Sequence, residues 1–84
     1  MTKVEAHDFI ARHYMTYINK LVYFGSSDVT GLVKAIDVVE GDNGDFVPTC
    51  FLESPKEEDP EFKNHIFSHI SLQDLIDSGR VLPA

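Results

Sequence analysis

Eighty-four residues are enough for one hydrophobic core and leave no room for a second domain. Apolar residues make up 43% of the chain, which is sufficient to bury and is not the composition of a disordered tail. Fourteen acidic residues against seven basic ones give a net charge of −7, which favours solubility and repels phosphate backbones and anionic lipid surfaces.

Thr2-Lys3-Val4-Glu5 has the pattern of a capping box, in which hydroxyl and carboxylate each take the other residue's amide. Ala6, Phe9, Ile10, His13, Tyr14, Tyr17 and Ile18 then recur at spacings of three and four, so the chain predicts a helix over 3–18. Leu21-Val22-Tyr23-Phe24 is a short β-prone run closed by the turn residues Gly25-Ser26-Ser27-Asp28.

Val29 to Val39 is rich in β-branched residues and interrupted by Gly31, which permits a bulge or a close backbone approach. Its apolar phase shifts: Val29, Val33 and Ala35 share one parity, while Leu32, Ile36 and Val38 share the other. A bent strand accommodates both. Glu40 to Asp45 contains Asn43-Gly44, a strong hairpin signal, so Phe46 to Glu53 is expected to return antiparallel. Pro48 lacks an amide donor, which places that strand at an edge or puts a bulge there.

Ser54 to Lys63 reads as a solvated loop, and Asn64 to Ile70 as a further strand. Ser71-Leu72-Gln73-Asp74 repeats the capping signature and Gly79 stands at a helix C-cap position, so Leu72 to Ser78 is predicted to be a short helix. The expected architecture is a single α+β domain over 1–84. It has an N-terminal helix, a β-rich core over 20–70 that is either a small antiparallel barrel or a strongly bent sheet of four to five strands, and a short C-terminal helix over 72–78.

Asn19-Lys20-Leu21-Val22-Tyr23-Phe24, followed by Thr30-Gly31-Leu32-Val33-Lys34-Ala35-Ile36 and Phe46-Val47, resembles the opening of a small five-stranded barrel of the Src-homology type 3 or KOW kind. Gly31, Val33 and Ile36 supply the Gly-x-Val-x-x-Ile segment, and the likeness covers about a third of the chain. It implies a fold and no ligand. KOW modules that touch RNA are basic around these strands, where this chain has Asp28, Asp37, Glu40, Asp42 and Asp45. The peptide-binding barrels use a tryptophan, and this chain has none.

The basic residues Lys3, Arg12, Lys20, Lys34, Lys56, Lys63 and Arg80 are scattered, which argues against direct nucleic-acid binding. Cys50 is the single cysteine, so no internal disulfide can form and a reducing cytoplasm suits the chain. The first eleven residues carry Lys3, Glu5, His7 and Asp8 where a secretory signal needs an apolar stretch, and no run approaches the length of a membrane span.

His65 and His69 would lie about 13 Å apart on a strand, too far to share a metal. Joining Cys50 to His7, His13 and the other histidines would require the fold to gather them; a small buried thiol is the simpler reading of Cys50. Asp42-Asn43-Gly44-Asp45 lacks the flanking ligands of a calcium loop and is better explained as a turn. No phosphate cradle, nucleophile elbow or paired carboxylates stand out, so no enzyme, metal or cofactor is expected.

What remains is an acidic module that docks on an unidentified protein, with Asp42, Asp45, Glu53, Glu57, Glu58, Asp59 and Glu61 as the candidate interaction surface. Two alternatives stand beside it: a phage-type inhibitor that imitates nucleic-acid charge to block a basic host protein, and a thiol- or metal-dependent protein built on Cys50 and the histidines. A domain of this size buries only about 60–65% of its unfolded surface, so association with a second copy is also anticipated.

Overall fold

The computed structural model describes residues 1–54 and 66–83. The elements in chain order are α1 (Lys3–Tyr17), β1 (Leu21–Phe24), β2 (Val29–Glu40), β3 (Phe46–Glu53), β4 (Ile66–Ser71), α2 (Leu72–Ser78) and β5 (Gly79–Val81). The fold is α+β, with one antiparallel sheet ordered β4-β3-β2-β1-β5. Among the described residues no ladder joins β4 to β5, so the sheet is open and does not close into a barrel. The expected loop, from Pro55 onward, and the expected start of the fourth strand at Asn64 lie outside the described residues.

Both helices begin where side-chain chemistry satisfies their free amides. Thr2 Oγ1 accepts the Glu5 amide at 3.1 Å and Glu5 Oε1 accepts the Thr2 amide at 2.9 Å, which completes the capping box. Ser71 Oγ accepts the Asp74 amide at 3.0 Å at the head of α2. The first helix stops one residue earlier than the apolar spacing predicts. Asn19 takes a left-handed conformation, φ 58°, just beyond the Ile18 cap, a stop signal that asparagine can supply almost as glycine does.

The phase shift in β2 has a single physical cause. From Val29 to Val33 the odd residues face the helices; the register then slips between Val33 and Ala35, so that Lys34 is an extra residue and Ile36 and Val38 face inward instead. The bulge sits at Lys34. Gly31 stays in regular register opposite Val22 and is buried. Beyond the bulge β2 and β3 run on as a two-stranded arm, because β1 and the residues just before it bond β2 only as far as Val33 and β4 pairs with β3 only as far as Thr49. At roughly 3.3 Å per residue the twelve residues of β2 span about 40 Å, the full 40 Å long axis of the molecule.

Pro48 fits this arm for a reason of hydrogen-bond alternation. The Gly41 amide donates to the Asp45 carbonyl at 2.7 Å, so counting back along the ladder makes Val38 and Pro48 a non-hydrogen-bonded pair. The proline nitrogen therefore points away from β2, on the side where the β4 ladder has already ended. No ladder bond is lost.

The core lies between the sheet and the two helices. Val22, Val33, Cys50, Leu52, Leu72 and Leu75 are fully buried, Ala6 seats α1 with no exposure, and Phe9, Ile10, Tyr17, Ile36, Ile70 and Ile76 pack around them. Tyr14, placed by its spacing on the buried stripe, is 40% exposed. The fifth strand, absent from the sequence expectations, follows directly from Gly79: its three residues pair with Val22, Tyr23 and Phe24, and the Leu82 amide adds a bond to the Leu21 carbonyl at 2.8 Å.

Gly79 is required by space, not by backbone angle. A Cβ there would meet the Leu75 side chain and come within 2.8 Å of the Leu75 carbonyl and 3.3 Å of the Tyr23 carbonyl. Gly79→Ala should therefore destabilise the fold by about 1–3 kcal/mol through overpacking at the α2–β5 corner, read as a lower urea midpoint. An unchanged midpoint would show that the corner can open without cost.

Candidate interaction surface

No lysine or arginine occurs between Lys34 and Lys56, whereas Asp37, Glu40, Asp42, Asp45 and Glu53 all do. The fold places Asp37, Glu40, Asp42 and Asp45 on the β2–β3 arm and Glu53 in the body of the sheet opposite Leu32, so the imbalance along the chain becomes an imbalance in space. Asp37, Glu40, Asp42 and Asp45 are exposed on the arm or its turn.

The turn is closed by its own hydrogen bonds. The Gly44 amide donates to the Gly41 carbonyl at 3.0 Å, the Asp45 amide donates to Asn43 Oδ1 at 3.1 Å, and Gly44 adopts φ 77°, a left-handed position that suits glycine. Asn43 and Gly44 thus do the work of a hairpin turn, inside a five-residue connection from Gly41 to Asp45.

The predicted surface residues separate into distinct groups. Among the described residues Asp42 has no partner and is exposed on the turn. Asp45 is engaged by the Met1 ammonium, which holds its carboxyl below the ordinary value, and the Phe46 amide donates to the Met1 carbonyl at 3.1 Å. Glu53 does not belong to a solvated acidic patch: it is 6% exposed on the outward side of β3, with Lys34 Nζ at 3.7 Å from Oε2. The bulge that reverses the phase of β2 also supplies that lysine. Glu57, Glu58, Asp59 and Glu61 lie outside the described residues.

Asp37 and Glu40 complete the arm's charged surface and lie outside the candidate interaction surface predicted from the sequence. Their signal was available in the long gap between basic residues. Asp37 Oδ1 also accepts the Val38 amide at 2.7 Å, on the edge of β2 that faces away from β3.

Among the described residues the thiol and imidazoles do not converge. Cys50 faces inward, fully buried, while His69 stands opposite Phe51 on the other face of the sheet, their rings 6.3 Å apart. His13 lies against Phe9 on α1 with ring centroids 4.8 Å apart, and His7 is exposed. His65 lies outside the described residues. Among the described residues no three His, Cys, Asp or Glu side chains are grouped to hold a metal ion. Elsewhere on the outward face the Tyr23 hydroxyl donates to Asp28 at 3.1 Å and the Arg80 guanidinium sits 5.5 Å from the Tyr23 ring centre, a contact that ties β5 to β1. Among the described residues no helix is long and apolar enough to cross a membrane.

Two titrations check this geometry. The lowered Asp45 value means that its ion pair supports the fold above the ordinary carboxylate range and that this support is lost as pH falls through the lowered value. An NMR titration of Asp45 should give a midpoint below 3.8, and a midpoint at or above it would mean that Met1 is not docked in solution. Burial pushes the Cys50 thiol up to about 11 from 9.0, so the native state should weaken as pH rises through that interval, where only the unfolded chain ionises. At pH near 8 a thiol reagent should label Cys50 slowly in the folded protein and quickly in urea; fast labelling of the folded form would contradict its burial. Comparison of the chain with protein-family models, curated proteins and solved structures gives no match in any of the three.

Proposed function

We propose that this chain is a small acidic protein–protein interaction or regulatory accessory module without catalytic activity, working in the cytoplasm. One observation supports the reading above others: the β2–β3 arm extends beyond the rest of the sheet and carries exposed Asp37, Glu40 and Asp42 with no basic side chain between Lys34 and Lys56. Such a projection suits contact with a basic protein surface, where charge complementarity governs encounter and register. Catalysis calls for groups that converge in a sheltered cleft, and these carboxylates stand apart along an exposed ribbon.

Imitation of nucleic-acid charge ranks lower. Duplex DNA carries a charge about every 1.7 Å of axis, whereas Glu53 is buried and Asp45 is matched by Met1, which leaves the arm far sparser.

Capture from native lysate should recover a basic protein at about 50 mM salt and lose it at about 500 mM, where screening acts within a few ångströms. The triple variant Asp37→Asn/Glu40→Gln/Asp42→Asn should lose the same protein at low salt. Identical recovery by wild type and variant would sink the assignment to the arm. Displacement of the captured protein by duplex DNA would favour the charge-mimic reading instead.

A further inference from the structure

Among the described residues the outer face of α1 has no partner. Val4, Asp8, Ala11 and Met15 fall within roughly 60° of one another around the helix axis and cover about 16 Å of its length. Val4 is 78% and Met15 79% exposed, the two most exposed large apolar side chains of the described residues, on the side opposite Ala6, Phe9, Ile10 and Tyr17. Asp8 and Ala11 between them are exposed, and Asp8 is bound at 2.6 Å by Arg12 of the same helix.

The spacing of this stripe is 4-3-4, which reads the same in both directions. We propose that α1 pairs antiparallel with α1 of a second copy through this stripe. A two-fold axis crossing the helix midway between Phe9 and Ile10 sets Val4 against the partner's Met15 and Asp8 against the partner's Ala11, and then repeats both contacts with the copies exchanged. That is the self-complementarity an isologous interface requires.

Charge selects the same occupant and the same direction. Within α1, Lys3 and Arg12 balance Glu5 and Asp8, so the helix is neutral in a chain of net charge −7 and brings two copies together where repulsion is least. The acidic turn lies at the N-terminal end of α1, through the bond from the Phe46 amide to the Met1 carbonyl, and exposed Lys20 lies just past the C-terminal end. Antiparallel pairing brings Asp42 and Asp45 of each copy to the end that holds the partner's Lys20. Parallel pairing would stack the two acidic turns and align the helix dipoles unfavourably. The contact itself is made by the α1 stripe and not by the arm, so it stands or falls separately from the function proposed above, with which it shares Asp42.

Sedimentation equilibrium of the full chain from about 10 μM to about 1 mM, the range expected of a single helix–helix contact, should show a monomer–dimer equilibrium. Met15→Glu and Val4→Glu should each weaken it about tenfold or more with an unchanged urea midpoint, since both side chains are largely in water. Val39→Glu, on the arm, should dimerise like wild type. A one-to-one mixture of Val4→Glu and Met15→Lys chains should recover dimer that neither forms alone, because antiparallel register sets those positions face to face. A wild type that stays monomeric throughout, a Met15→Glu chain that dimerises normally, or a mixture no better than its components would each overturn the proposal.

Discussion

Lys34 is the residue around which the sheet is organised. A regular strand of β2's length would present one parity to the helices along its whole course, and the residues of this chain do not keep one parity. One inserted residue reverses the alternation, so that Val33 and Ile36 both reach the core although three positions separate them. Without that slip, Ile36 and Val38 would turn to the outward face and Asp37 would be driven under α1. The bulge therefore holds together two half-strands, one that completes the sheet with β1 and one that forms the projecting arm. It also gives the buried Glu53 a nearby cation, so the same irregularity solves a packing problem and eases an electrostatic one.

The distribution of charge follows from this layout. Polar and charged groups near the helices are engaged locally, as in the Thr2 capping box, the Ser71 cap and the Asp8–Arg12 and Gln73–Asp77 pairs, whereas the arm concentrates carboxylates with little to balance them. A protein of this size has little interior from which to build a cleft. On the function proposed above, recognition rests on what it projects and on which faces it leaves uncovered.

Much of the fold was legible in the sequence, because the signals were local. The capping patterns at Thr2 and Ser71 mark where the helices start, Asn43-Gly44 marks the hairpin, and the ends of Phe46–Glu53 and Leu72–Ser78 fall where the turn and cap residues place them. The parts that were not legible depend on tertiary context. Three residues from Gly79 to Val81 are too few to show a period and become a strand only because β1 has a free edge beside them. Gly31 drew attention as the site of a bulge that occurs three residues later, since composition cannot say which residue is the extra one. A likeness to a small barrel rested on strand order in the first half of the chain, while closure is decided by whether the two edge strands meet. For the interaction surface, charge was visible but exposure was not: Glu53 looks like a surface acid and is buried, and Asp45 looks free and is matched by the chain's own terminus.

A ribbon with two largely unpaired margins is normally an invitation to open-ended sheet growth; Met1 covers one margin at Phe46, and the pairing of Val38 with Pro48 bears on the rest. On one margin the outward amide at this level already donates to Asp37; on the other, proline has no amide to offer. Both margins are thus deprived of a donor at the same rung, next to carboxylates that repel their own kind. The arm can extend past the rest of the sheet, with α1 against its inner face and Met1 against its tip, without serving as the template for a fibril.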